Sequence, residues 1–262
     1  MRFLTFGDRE KPVILMLPGS FCPASSLEYL YSRLMEDYCI IVADYTGHFN
    51  SGTSYSVFSS RSGEAAKIAS YLKEQQINNI LMLYCQSMGA EVGIELLRQL
   101  IPTDIVVQKS FFDGAPCIKL SNTYKKFMFR KFKLMINMVR KKDVDKIIGW
   151  KFLNAFTNHD NEAIRPMLEA MKEVAPYIQE DTIRNEVECC YSFDFPAFMD
   201  NRQQTMYFFY AKEEKACKMC LKKVQKAYPN AEYQVVKGYG HLTFSLRKTD
   251  EYIDMLKRIF AL

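Results

Sequence analysis

Apolar residues along this chain follow two rhythms that alternate over most of its length. Short continuous apolar runs, such as Val13–Leu17 and residues 39–43 (CIIVA), are bounded by turn-forming residues. Runs of that kind are expected of strands covered by helices on both faces. Between them, apolar residues recur every three or four positions, as on one face of an amphipathic helix. The pattern predicts an edge strand over 1–6 and strands over 13–17, 39–43, 79–84 and 104–112. Helices are predicted over 25–36, with Ser25 or Ser26 as cap, over 61–76, and from Ser87 to Leu100.

After Pro116 the rhythm breaks. Residues 118–200 contain no convincing strand and read as helices, a stretch too long for a plain connection and therefore a structured insertion. Alternation then resumes with a strand at 205–211, a helix at 215–228 stopped by Pro229, a strand at 232–236 and a closing helix at 249–260. Strand and helix joined by short links predict an α/β fold, a mostly parallel sheet flanked by helices. The expected organisation is a core of residues 1–117 and 201–262 with a helical cap, or lid, at 118–200.

Composition narrows the class. An apolar fraction of 48% and a charged fraction of 25% in 262 residues suit one ordinary globular domain with an insertion. A net charge of +5 is only mildly basic, so a solvated surface is preferred to a nucleic-acid partner. No apolar run reaches the length that crosses a bilayer, and the first residues do not form a secretory leader. The eight cysteines form no regular framework, and several sit within apolar runs. Free thiols in a reducing cytoplasm are the expectation, with Cys217 and Cys220 an incidental helix pair.

The chemistry centres on residues 81–90 (LMLYCQSMGA), an apolar strand that stops at Ser87 and turns at once into a helical pattern. Such a turn strains the apex residue and throws its side chain above the sheet, provided the flanking residues are small. A serine hydroxyl needs a histidine to take its proton and a carboxylate to orient that histidine. Of the three histidines, His241 lies in a glycine-bounded loop after a strand, His48 in an early glycine loop and His159 among the inserted helices.

Cys85-Gln86-Ser87-Met88-Gly89 resembles the nucleophile elbow of the α/β-hydrolase family, with cysteine in place of the first glycine. The segment 238–244 (GYGHLTF) looks like that family's terminal histidine motif. The order serine, acid, histidine then implies Ser87 as nucleophile and His241 as base. The run 207–214 (YFFYAKEE) is similar to the family's strand followed by G-x-x-D, which implies Glu214 as the acid. Glu213, one residue off, and Asp113, at the end of the preceding strand, remain alternatives. The resemblance further implies an oxyanion hole from the amides of Met88 and Ser20, with Phe21 behind Ser20. The loop 44–51 (DYTGHFNS) is similar to the family's D-x-x-G-x-G-x-S. It makes His48 structural and places Phe49, like Phe21, beside the substrate, where its bulk narrows the pocket.

These motifs, in the right order over nearly the whole chain outside the insertion, imply a serine hydrolase with no metal and no cofactor. Its substrate would be a small or medium carboxylic ester, apolar or aromatic, cleaved through an acyl-enzyme. An aminopeptidase, thioesterase, acyltransferase or carbon–carbon hydrolase could use the same residues, and a non-catalytic ligand sensor could keep the pocket. Residues 124–142 are rich in Lys, Arg, Phe and Met. Positions 128, 132, 135 and 139 recur at helical spacing and read first as a stripe buried on the core. The sharper alternatives are an acyl-lined pocket roof, or a lipid-facing surface that uses Lys125, Lys126, Lys131 and Lys133. The partner expected is a small-molecule substrate; the sequence leaves oligomeric state open.

Overall fold

The computed structural model describes residues 1–52 and 56–261. The chain begins β1 (Arg2–Phe6), β2 (Val13–Leu17), α1 (Glu28–Leu34), β3 (Cys39–Asp44), α2 (Arg61–Glu74), β4 (Asn79–Gln86), α3 (Met88–Leu100) and β5 (Val106–Asp113). Helices α4 (Asn122–Arg140), α5 (Val144–Ile148), α6 (Asn154–Thr157), α7 (Arg165–Val174), α8 (Glu180–Tyr191) and α9 (Asp200–Gln203) follow. It closes with β6 (Met206–Ala211), α10 (Lys215–Ala227), β7 (Glu232–Val236), α11 (Thr243–Arg247) and α12 (Thr249–Phe260). The mostly parallel sheet read from the apolar runs is present. Among the described residues seven strands run in the order β1-β3-β2-β4-β5-β6-β7, with only β1 antiparallel to its neighbour.

Central strands are apolar on both faces because helices cover both. On one face, α2, α3 and α10 bury Ile68, Leu72, Ile94, Leu97 and Val224 against Leu15, Leu83 and Phe112. On the other, α1 and α12 bury Leu30, Leu34, Tyr252 and Leu256 against Ile14, Met82 and Phe111. Burial at about 25 cal/mol per Å² of apolar surface makes these two clusters the main favourable contribution to folding. A third cluster belongs to the helices between β5 and β6, where Ile136, Val139, Leu168, Met171 and Ile183 pack together and meet Phe21, Cys22 and Leu242.

Between β5 and β6 the pairing is limited to an isolated bridge of Lys119 with Ser192, so this stretch is helical as expected. Element ends differ by a few residues from the sequence reading. The predicted helix 25–36 opens as a 3-10 turn at Ala24–Leu27, and α11 lies between the histidine loop and the predicted closing helix, where no element is predicted. No helix among the described residues is long and apolar enough to cross a membrane. All eight cysteines are buried and unpaired.

Candidate active site

Residue packing around β4 explains why the chain turns so sharply at Ser87. Ser87 has φ 51° and ψ −120°, a left-handed backbone that a serine adopts only under constraint. Its amide donates to the Asp113 carbonyl at 2.7 Å. Helix α3 starts at the next residue and runs so close to the end of β2 that a Cβ on Gly89 would lie 2.4 Å from the Leu17 carbonyl oxygen. The cysteine in place of the family's first glycine is accommodated one helical turn later. A Cβ on Gly93 would lie 2.3 Å from Cys85 Sγ, so the missing side chain at 93 makes room for the one at 85.

His241 is brought to Ser87 from the far end of the chain. Its Nε2 lies 3.0 Å from Ser87 Oγ, and its Nδ1 lies 2.5 Å from Glu214 Oε2. The imidazole rests on Gly114, where a Cβ would lie 2.5 Å from its Cε1; Gly114 has φ +63°, which also favours glycine. Backbone on the inserted helices holds the loop from the other side, for the His241 amide donates to the Phe156 carbonyl at 2.6 Å. Glu214 is 1% exposed, and its second oxygen accepts the Ala211 amide at 3.1 Å, which fixes the carboxylate plane.

The two other carboxylates considered do not reach the imidazole ring nitrogens. Glu213 points to the surface turn and accepts the Gly238 amide at 2.9 Å. Asp113 Oδ2 instead accepts the hydroxyls of Tyr252 at 2.6 Å and Tyr84 at 3.3 Å, beneath the elbow. Burial pushes the Asp113 carboxyl up to about 7, against the pull of its tyrosine hydrogen bonds. For His241, burial lowers the pKa, but the hydrogen bond and charge of Glu214, aided by Asp113, outweigh it and leave the imidazole above its ordinary value.

The turn after β2 presses against the serine, with an ideal Cβ on Gly19 lying 3.4 Å from Ser87 Cβ. Ser20 lines the same cavity as Ser87, and its hydroxyl lies 3.3 Å from Cys190 Sγ. The Phe21 amide is not available to an oxyanion, because it donates to Glu186 Oε2 at 2.9 Å. Its ring lines the cavity instead, edge-on to Phe132 at 5.2 Å. Phe49 departs from expectation. Its ring lies under the Arg2 guanidinium at 5.2 Å, outside the cavity wall, because the loop folds toward the edge strand.

His48 is fully buried and bonded to Glu186 Oε1 at 2.5 Å, with its Nδ1 3.4 Å from the Cys22 carbonyl. Glu186 escaped the sequence reading. The signal was there: α8 is buried at Thr182, Ile183, Val187 and Cys190, and Glu186 falls on that same face. A carboxylate on the buried stripe of a helix needs a partner.

A cavity of about 210 Å³ opens above Ser87 and His241. Its walls are almost wholly apolar and come from both the sheet loops and the inserted helices, among them Phe132, Met135, Phe156, Leu168, Met171 and Tyr191. Met128, Met135 and Val139 of the predicted stripe are buried, and Phe132 and Met135 also line the cavity. The basic residues singled out on α4 are largely engaged. Lys125 pairs with Glu188 at 2.8 Å, Lys133 pairs with Glu180, and Lys131 lies over the rings of Phe127, Trp150 and Phe152. No group of residues able to hold a metal ion occurs among the described residues.

No protein-family sequence profile matches the chain, and no curated protein matches it by sequence. Solved structures do. An α/β-hydrolase family protein from Desulfitobacterium hafniense superposes with a TM-score of 0.76 at 14% identity, covering 98% of this chain and 99% of the other. An esterase from Exiguobacterium antarcticum gives 0.71 at 16% identity, covering 99% and 95%. MenH from S. aureus gives 0.73 at 12% identity, covering 99% and 97%.

Proposed function

We propose that this chain, which has the α/β-hydrolase fold, is a serine hydrolase acting on a small or medium carboxylic ester with an apolar or aromatic acyl group. One observation carries the reading: the unbroken relay from Glu214 through His241 to Ser87, open to an apolar cavity. Neutral His241 takes the Ser87 proton as Oγ bonds to the ester carbon. The charge that develops on the carbonyl oxygen is received by the amides of Met88 and Ser20. Met88 sits at the first position of α3, where the helix dipole adds to its hydrogen bond.

As the tetrahedral species collapses, the ester C–O bond breaks and His241 returns its proton to the departing alcohol. Water, deprotonated by His241, then attacks the acyl-enzyme and releases the acid with Ser87 regenerated. Glu214 holds Nδ1 as the donor throughout and stabilises the transient imidazolium. A cavity of about 210 Å³ lies below the ~300–1,000 Å³ typical of sites for drug-sized ligands, which favours a modest acyl group. Helices α4 to α8 act as the cap that roofs this site. Fluorophosphonate labelling tests the proposal. Labelling at Ser87, lost in Ser87→Ala, with turnover of p-nitrophenyl esters of short to medium chain, is the expected result. An unlabelled native protein would leave the ligand-sensor reading in its place.

A further inference from the structure

Among the residues lining the cavity, charge is confined to Glu214, His241 and Lys215. The first two hold each other, whereas Lys215 is exposed at the mouth, its ammonium 5.7 Å from the centre of the Phe156 ring. That position is on the His241 side, since the Phe156 carbonyl is the acceptor of the His241 amide. In an acyl transfer the histidine hands its proton to the leaving group, so the alcohol portion of an ester departs past His241 and toward Lys215. The acyl portion would take the apolar walls, which include Met135, Leu168 and Met171.

Lys215 does not stand alone. Helix α10 (KACKMCLKKVQKA) contains no acidic residue, and Lys218, Lys222 and Lys226 follow Lys215 at helical spacing, all exposed. Met219, which lines the cavity, is 45% exposed on the same stripe. Among the described residues none of these four lysines has a carboxylate at ion-pair distance. Lysines elsewhere commonly do, as Lys67 with Glu64, Lys119 with Asp194 and Lys257 with Asp37. A row of unpaired ammonium groups leading away from an apolar chamber is complementary to an amphiphile with an anionic head.

We propose that Lys215, extended by Lys218 and Lys222, is an anion subsite, and that the preferred substrate is an ester of an apolar acid whose alcohol portion carries a phosphate. The inference rests on reading the cavity as the substrate site. The phosphate could belong to a soluble carrier or to a lipid head group; the recognising chemistry is the same.

Trp150, the only tryptophan, lies 4.9 Å from Phe152, which lines the cavity, so its fluorescence serves as the readout of occupancy. Titrating the full-length protein with monomeric octyl phosphate and with octyl glucoside, followed by Trp150 fluorescence, compares an anionic head with a neutral one on one chain. Octyl phosphate should bind about fivefold more tightly or better at low salt, as expected of one exposed charge contact reinforced by neighbours. The preference should shrink as salt rises, fall in the Lys218→Glu/Lys222→Glu variant and invert in Lys215→Glu. Sedimentation with phosphatidylcholine vesicles, with and without phosphatidic acid, supplies the second arm. Preference for monomeric octyl phosphate supports a soluble carrier, and capture only by phosphatidic acid vesicles supports a lipid head group. No preference in either arm, or one that survives Lys215→Glu, overturns the subsite. Failure of the hydrolase reading would show separately, as absence of Ser87 labelling.

Discussion

Glu186 of α8 clasps His48 of the loop after β3, and through its other oxygen it holds the Phe21 amide in the turn after β2. Phe21 has φ 59°, so this carboxylate fixes a left-handed residue directly beside Ser20. Burial alone would lower the His48 pKa, but the adjoining Glu186 carboxylate outweighs it and raises it. Breaking a buried pair from one side leaves an uncompensated group and costs about 3–5 kcal/mol. Glu186→Ala should lower the unfolding free energy in urea by that order. Glu186→Gln, which can still accept the Phe21 amide, should lose less. Equal losses would show that the amide contact contributes nothing.

The three carboxylates near the elbow predict three different kinetic outcomes. Glu214→Gln should reduce kcat by about 10²–10⁴-fold, the loss expected when the histidine is no longer held in the right tautomer. Glu213→Gln, altered at the surface, should stay within about twofold. Asp113→Asn keeps an acceptor for Tyr252 and should fall between the two. Ser87→Ala should abolish the proposed esterase activity, a loss on the order of 10⁴-fold or more. A Glu213→Gln loss as large as that of Glu214→Gln would reverse the assignment of the acid.

Only neutral His241 can act as base, so kcat/KM should rise with pH. Its pKa is raised by Glu214, and the midpoint should therefore lie above the ordinary imidazole value of about 6.5. Glu214→Gln should move that midpoint downward. The same shift has a stability counterpart of definite sign: the contribution is complete below the ordinary imidazole pKa and is lost as pH rises through the raised one. A profile that is flat, or centred below about 6.5, would remove His241 from the role of base.

Cys85 and Gly93 should behave as one unit. Gly93→Ala drives a methyl into Cys85 Sγ and should destabilise by about 1–3 kcal/mol, the usual cost of overpacking. Cys85→Ala should be mild alone and should recover most of that loss when combined with Gly93→Ala. Additive losses in the double-mutant cycle would show that the two sites are independent.

Much of the sheet was readable because burial on both faces writes strands as unbroken apolar runs, as in VILML and CIIVA. Ser87, Glu214 and His241 could be nominated because each stands at a strand end or in a glycine turn, where local sequence sets local backbone. Glu186 could be suspected from its place on the buried face of α8, but its partners could not be named, since they lie 138 and 165 positions away. Phe49 was misjudged for the same reason. Its motif position describes the loop, while the ring is met by Arg2 on the neighbouring edge strand, which the loop's own residues do not announce. The engagement of Lys125 and Lys133 was equally invisible locally, because their acidic partners Glu188 and Glu180 both lie on α8.

The backbone contact between His241 and Phe156 constrains how the site can admit a substrate. Gly240 lies so close to the inserted helices that a Cβ there would sit 2.1 Å from the Thr157 carbonyl carbon. Were α6 to swing outward as a rigid flap, it would drag the imidazole off the serine and disarm the very relay it was opening. An entry route that leaves α6 in place, with His241 still anchored to the Phe156 carbonyl, is therefore the one compatible with this geometry.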